Sequence, residues 1–256
     1  MGKLDHKICI VTGASGGLGK QTAIRFAEEG ATVCICARNE ERLAETKRIC
    51  EEKGAEVLAM KADVSDYEQL KSFVEAIAAK YGHIDALCNN ASTISAPHPF
   101  IEHTIADLEE ALHSGLYGTW NMMQLCFPYM KEKGGAILNY GSIGGVEGMA
   151  GFAAYAAEKE AIRALSRVTA REWGEFNIRV NCICPNVATD RFLAGIEQSP
   201  KEVAEYLKAS MSNNAMKRMG MAYEDATPAI VFLVSDDAKW ITGQTVHVEG
   251  GNWISA

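Results

Sequence analysis

An α/β fold with a parallel sheet covered on both faces is predicted by three observations. Short apolar runs alternate with amphipathic stretches from end to end of the 256-residue chain. Strand–helix–strand alternation of this kind builds parallel sheets flanked by helices. The strand candidates are continuous apolar runs, such as Ile8-Cys9-Ile10-Val11, as a sheet with no face in water requires. No repeat, low-complexity tract or linker interrupts the alternation. One domain over residues 1–256 is therefore the economical organisation.

The chain opens with a strand at 7–12 and a helix at 18–29. A strand at 32–37 leads to a helix at 40–53, whose first residues, Glu40 and Glu41, suit the positive end of a helix dipole. A strand at 56–62, a helix at 66–80 and a strand at 85–90 follow. One long helix is expected over 104–132, then a strand at 135–141 and a second long helix at 153–175. Strands at 178–184 and 245–249 bracket a helix at 224–235. Residues 186–222 break the rhythm. They carry Gly195, Pro200, Gly220, a helical piece near 200–213, and apolar Phe192, Leu193, Ile196, Tyr206, Leu207, Met211, Met216, Met219 and Met221. A long excursion rich in methionine reads either as an adaptable apolar lid over a substrate or as ordinary packing on the body.

The formal net charge of −8 argues against nucleic acid or an anionic membrane as partner. The opening Met1–His6 lacks the apolar core of a secretion signal, and the apolar runs are too short to span a bilayer. The expectation is a soluble, cytoplasmic protein. Cys34 and Cys36 alternate along one strand, as do Cys182 and Cys184, and no Cys-x-x-Cys occurs among the eight cysteines. Buried free thiols are expected. The scattered histidines form no metal-binding pattern, so no metal is expected.

Two motifs carry chemistry. The first strand runs into Thr12-Gly13-Ala14-Ser15-Gly16-Gly17-Leu18-Gly19, where a helix opens. Glycines there let the backbone approach a pyrophosphate, and the helix start favours its charge. At the end of the second strand stands Arg38, where an enzyme using NAD would place an acidic residue for the ribose hydroxyls. A guanidinium suits a 2′-phosphate, which favours NADP(H), with NAD(H) as the alternative. The second motif is Tyr155-Ala-Ala-Glu-Lys159, with Ser142 thirteen residues before the tyrosine. Residues four apart share a helix face, and an ammonium beside a phenol favours the phenolate. Tyr67/Lys71 and Tyr129/Lys133 match the same spacing, but Gly54 and Leu116 stand where the serine would be.

Together these segments resemble the short-chain dehydrogenase/reductase family of the Tyr-x-x-x-Lys type, over nearly the whole chain. The resemblance rests on Thr12-Gly13-x-x-x-Gly17-x-Gly19, Asp63-Val64, Asn89-Asn90-Ala91, Ser142, Tyr155-x-x-x-Lys159, Ile241-Thr242-Gly243-Gln244 and Glu249-Gly250-Gly251. It implies a Rossmann-like doubly wound sheet of seven parallel strands and a nicotinamide cofactor. It implies that Ser142, Tyr155 and Lys159 are catalytic. It assigns the cofactor to Gly13, Ser15, Gly17, Leu18, Gly19, Asp63, Val64, Asn90, Tyr155, Lys159, Pro185, Val187 and Thr189, beside Arg38. A homotetramer or homodimer built through the two long helices is also implied.

Three positions depart from the family pattern. Ser92 replaces the usual Gly after Asn-Asn-Ala. Pro185-Asn186 replaces Pro-Gly, and the stretch from there to Thr189 looks about one residue short. Gly115 replaces an Asn three residues before Gly118-Thr119. Glycine keeps the main-chain carbonyl and permits a helix kink, so Gly115→Asn is expected to change turnover modestly. The predicted activity is hydride transfer between NADP(H) and a ketone or secondary alcohol. The pocket stretches contain Ile94, Pro97, Phe100, Ile143, Val146, Met149 and Phe152, which favours a bulky apolar substrate such as a steroid or another cyclic ketone. The rival is a non-catalytic NADP(H)-binding sensor of the same fold, motivated by the changes at 92, 115 and 186. A nucleotide-free lyase is disfavoured by the intact glycine turn and lysine.

Overall fold

The computed structural model describes residues 2–94 and 96–254. Its strands are β1 (Ile8–Thr12), β2 (Thr32–Ala37), β3 (Val57–Lys61), β4 (Ala86–Asn89), β5 (Gly135–Tyr140), β6 (Ile178–Pro185) and β7 (Thr245–Val248). They form one sheet in the order β3-β2-β1-β4-β5-β6-β7, every pairing parallel. The helices are α1 (Gly17–Glu28), α2 (Glu40–Glu52), α3 (Tyr67–Tyr81), α4 (Ile105–Ala111), α5 (Gly118–Met130), α6 (Ile143–Glu147), α7 (Ala153–Trp173), α8 (Asp190–Glu197), α9 (Lys201–Met211) and α10 (Thr227–Val234). The chain winds outward from β1 to β3, then returns to the other side of β1 at β4. The strand order reverses there, which opens a crevice beyond the carboxyl ends of β1 and β4.

The two-residue strand period sorts the core into two layers. Ile8 and Ile10 of β1 join Cys34 and Cys36 of β2 against α3 and α5. Cys9 and Val11 join Val33 and Ile35 against α1, α2 and α10. Register keeps the layers continuous, since Ile10 lies beside Cys34 on one side and Leu87 on the other. Each fully buried Ile or Leu contributes about 1.5–3 kcal/mol, so the central strands are the most strongly held part of the sheet. All eight cysteines are free and buried. Burial pushes the Cys36 thiol up to about 12, which leaves it without thiolate at neutral pH.

Caps decide which residues stay at the crevice. Asn39 Oδ1 accepts from Arg42 N at 2.8 Å and starts α2, leaving Arg38 exposed just past β2. Asp66 Oδ1 accepts from Gln69 N at 3.1 Å and starts α3, leaving Asp63–Ser65 as a turn.

The expected long helix at 104–132 is not continuous. α4 gives way to a π-helical segment, Leu112–Tyr117, before α5 begins. Gly115 lies within that segment, and a residue without a side chain tolerates such widening. The excursion holds two helices, α8 and α9, where one helical piece was expected. Its base is closed by Ala188 N donating to Gly220 O at 2.7 Å and Ala222 N donating to Ala188 O at 2.9 Å. Beyond that base it is mostly exposed, although Asn214 is buried. α9 buries no residue, α8 buries only Ile196, and Tyr206 is 72% exposed. Short α6 escaped the sequence reading because five residues carry too little periodicity. No helix among the described residues is long and apolar enough to cross a membrane.

Candidate active site

The crevice at the β1/β4 switch is a cleft of about 980 Å³. Gly13, Ser15, Gly17, Leu18, Arg38, Asp63, Val64, Asn90 and Thr189, all predicted from the sequence, line it. The turn at its floor is built by close backbone approach. Thr12 Oγ1 accepts from Asn90 N and Ala91 N, both at 3.1 Å, and Asn90 Nδ2 donates to Thr12 O at 3.0 Å. This lock ties β1 to β4. Gly13 has φ +70°, a left-handed conformation that favours glycine. A β-carbon on Gly19 would overlap Asn90 Nδ2, so Gly19 lets the lock close. Asn90 therefore holds the turn with its side chain, besides lining the cleft.

The cleft suits an anion. Gly17 N donates to Asp190 Oδ1 at 3.0 Å, so a carboxylate oxygen already sits on the turn at the start of α1. Lys20, Arg38 and Arg42 line the cleft, together with the carboxylates of Glu45, Asp63, Glu110 and Asp190. Lys20, Arg42 and Asp190 were not singled out by sequence. Arg42 lies one helical turn after Arg38, a spacing that could have signalled it. At the next strand, Asp63 Oδ1 accepts from Ser65 N at 3.0 Å and Ser65 Oγ at 2.7 Å, which fixes the Asp63-Val64 turn. Thr189 caps α8, its Oγ1 accepting from Phe192 N at 3.3 Å. These features fit a dinucleotide with its phosphates on the glycine turn.

The remaining predicted residues lie elsewhere. Pro185 ends β6. Val187 faces a separate cavity of about 260 Å³, shared with His247 and Asp225. Ser142 caps α6, its Oγ accepting from Gly144 N at 3.1 Å. That bond occupies a lone pair and leaves the hydroxyl proton to donate. Tyr155 lies in the first turn of α7, and Lys159 Nζ stands 5.3 Å from its ring centroid, within cation–π range. Lys159 is buried, and its ammonium pairs with buried Glu158 at 3.0 Å. Burial alone would depress the lysine, but Glu158 and Tyr155 overcome it and hold the group above its ordinary value. Sequence reasoning treated Glu158 as a spacer inside the motif.

Segments 96–103 and 149–152 form an adjoining rim. His98 N donates to Gly151 O at 3.1 Å, and Ile94, Phe100 and Met149 are exposed. Ile143, expected among the pocket residues, is buried. His98, His103 and Asp107 bring potential ligand atoms within 4.8 Å of one another. Asp107 is committed there to Thr104 N and Oγ1, both at 2.7 Å, and caps α4.

A family model described as Enoyl-(Acyl carrier protein) reductase matches residues 13–252. The chain belongs to the short-chain dehydrogenase/reductase family. Members of this family bind nicotinamide cofactors, and this protein is an oxidoreductase acting on the alcohol/carbonyl pair. It is 36% identical to the 12alpha-hydroxysteroid dehydrogenase of Clostridium sp. (strain ATCC 29733 / VPI C48-50), covering 98% of each chain. It is 33% identical to the levodione reductase of Leifsonia aquatica, over 97% of this chain and 95% of that one. The structure of L-sorbose reductase from Gluconobacter frateurii, complexed with NADPH and L-sorbose, superposes with a TM-score of 0.92 at 28% identity, covering 100% of this chain and 99% of the other.

Proposed function

We propose that the protein is an NADP(H)-dependent reductase of bulky apolar ketones, steroid-like or otherwise cyclic, working reversibly on the matching secondary alcohols. The observation that carries the chemistry is the Lys159 ammonium held 5.3 Å from the Tyr155 ring. Bound NADPH would supply the hydride to the carbonyl carbon. Tyr155 gives its phenol proton to the carbonyl oxygen, and in the reverse direction takes it back. Ser142 donates a hydrogen bond to that oxygen, its lone pair being held by Gly144 N. Lys159 keeps a positive charge beside the phenol.

NADP(H) is supported by Arg38, Arg42 and Lys20 at the cleft, since guanidinium and ammonium groups pair with a 2′-phosphate. Gly13, Ser15, Gly17, Leu18 and Gly19 would take the pyrophosphate, and Asp63 and Val64 the adenine. Asn90, Pro185, Val187 and Thr189 would complete the cofactor site. The apolar substrate is supported by the Ile94–Met149 rim and by the excursion at 186–222, which we read as a lid on a single domain. Relatives named for a hydroxysteroid and for levodione point the same way, although another is named for L-sorbose. A homotetramer, or a homodimer, in the cytoplasm is part of the proposal. Exposed Tyr117, Trp120 and Val168 on the central helices supply apolar contact surface.

The test is consumption of NADPH and NADH against ketosteroids, cyclic diketones, quinones, sugars and acyl ketones. Turnover with NADPH on a cyclic or steroid ketone supports the reading. NADPH binding without turnover on any class would move it to a sensor. Tyr155→Phe should abolish turnover, a loss of about a thousandfold or more, with NADPH affinity retained. Normal turnover in that variant would remove the tyrosine from its role.

A further inference from the structure

Two of the departures noted in the sequence, Ser92 and Gly115, meet around one carboxylate. Glu158 is fully buried and directly precedes Lys159 in α7. Its Oε1 lies 3.0 Å from Lys159 Nζ. Ser92 Oγ lies 3.2 Å from each of its carboxylate oxygens and donates to them. The carboxylate fills the space beside Gly115, where a β-carbon would overlap Oε1 and Cδ of Glu158. The sequence reading expected Gly115→Asn to change turnover modestly, on the ground that glycine keeps the main-chain carbonyl. The structure adds a steric condition, because Glu158 fills the space that an Asn side chain would enter.

A fully buried carboxylate is costly unless paired and hydrogen-bonded. Burial pushes the Glu158 carboxyl up, against the opposing pull of Lys159 and Ser92. An alanine or serine at 158 would carry no such penalty. What Glu158 supplies in return is contact with the Lys159 ammonium that faces the Tyr155 ring. Lys159 is itself buried, and a flexible four-carbon side chain needs fixed partners to hold one place.

We propose that Glu158 is a positioning residue for Lys159, anchored by Ser92 and admitted by the absent side chain at Gly115, so that residues 92, 115 and 158 work as one unit. This rests on the roles given above to Tyr155 and Lys159. A carboxylate on the ammonium fixes its distance from the phenol. The unit acts on the turnover step, and of its members Ser92 alone is among the residues lining the cleft.

The experiment compares Glu158→Gln with the parent, using NADPH and the ketone reduced fastest in the panel. Glutamine keeps the shape and the Ser92 contact but removes the charge. The expected result is a fall in kcat of about tenfold or more, with KM for the ketone and Kd for NADPH moving by less than about threefold. A kcat within about twofold of the parent would overturn the proposal, as would equal losses in kcat and NADPH affinity. Should Glu158→Gln fail to fold, Ser92→Ala takes its place. Its expected loss in kcat is about threefold, with the melting temperature lowered by a few degrees at most, and no loss in kcat would overturn the anchor. A second arm reads folding alone. Gly115→Ala should lower the melting temperature by about 5 °C or more in the parent, and by far less in a Glu158→Ala background. Equal losses in both backgrounds would show that the two positions do not share the space. Full turnover in Tyr155→Phe would fail the underlying reading and the positioning role with it, while the folding arm would still report whether 115 and 158 share one space.

Discussion

The glycine turn at 12–19 and the excursion at 186–222 meet at one hydrogen bond, Gly17 N to Asp190 Oδ1, yet they are built in opposite ways. The turn is fixed from below by the Thr12–Asn90 lock and has buried strands on either side. The excursion is closed at its base and held beyond it by few contacts, among them Gly17 N to Asp190 Oδ1 and Met216 N to Gly250 O. Past the Ala188–Met221 bridge, α9 buries nothing and Tyr206, Val203 and Met216 lie exposed. One region is a rigid seat for charge, and the other is a loosely packed apolar arm. The difference separates the generic part of the reaction from the selective part. Holding the nucleotide needs precision, while admitting a bulky ketone needs surface that can move and repack.

The comparison breaks most severely at the turn. Gly19→Ala would drive a β-carbon into Asn90 Nδ2 and Gly13 O, and backbone cannot yield cheaply. NADPH affinity should fall by about a hundredfold, with a lower melting temperature, by analogy with the cost of overpacking a tight site. Titrating NADPH fluorescence against the variant checks this. Binding at parental strength would mean that the turn is not the nucleotide seat. Arg38→Ala should act next. Losing one charge-assisted pair to a 2′-phosphate weakens NADPH by about tenfold to a hundredfold and leaves NADH unchanged. Equal effects on both nucleotides would remove Arg38 from cofactor choice.

The same contrast explains what could be read from sequence. All seven strands were legible, because a doubly covered sheet writes itself as apolar runs such as Ile8–Val11 and Ile178–Cys184. The glycine turn at 13–19 was legible because the backbone there must take special conformations that leave glycines behind, Arg38 from its place after the second strand, and Asp63, Val64, Asn90 and Thr189 only through the family resemblance. Three things were not legible. The π turn at Leu112–Tyr117 shifts a helix by one residue without changing its apolar pattern. The Asp190 contact pairs residues 173 positions apart, and no local signal reports it. Glu158 sat within a motif that was read, but its buried partnership with Ser92 and Gly115 is a property of three separated elements. Departures at 92 and 115 each looked like a loss alone, and only their meeting at one carboxylate makes them a replacement.

Where the regions touch, a smaller effect is expected. Asp190 occupies Gly17 N with a carboxylate, in the place an incoming phosphate would favour. Asp190→Asn should therefore strengthen NADPH binding by about threefold to tenfold, since a competing exposed anion is removed. Weaker binding would show instead that Asp190 helps to order the site for the nucleotide.

The smallest effect concerns the base of the excursion. Arg218 and Asp225 form a paired contact there, Arg218 Nη1 to Asp225 Oδ2 at 2.7 Å and Nη2 to Oδ1 at 2.6 Å, and Met221 N donates to the same carboxylate at 2.7 Å. The Arg218 guanidinium, with the Met221 N–H, holds the Asp225 carboxyl at about 2. A carboxyl depressed in the folded state stabilises the fold above its unfolded value, near 4, and loses that contribution as pH falls through about 2. Arg218 is about half exposed, so solvent screening limits the gain to about 1 kcal/mol or less. Asp225→Asn should accordingly melt slightly below the parent at pH 5–7, with the gap closing between about pH 4 and pH 2. High salt should narrow the gap as well, because the pair lies near the surface. A gap that stayed constant across that range would mean that the contribution of Asp225 does not come from its charged pair with Arg218.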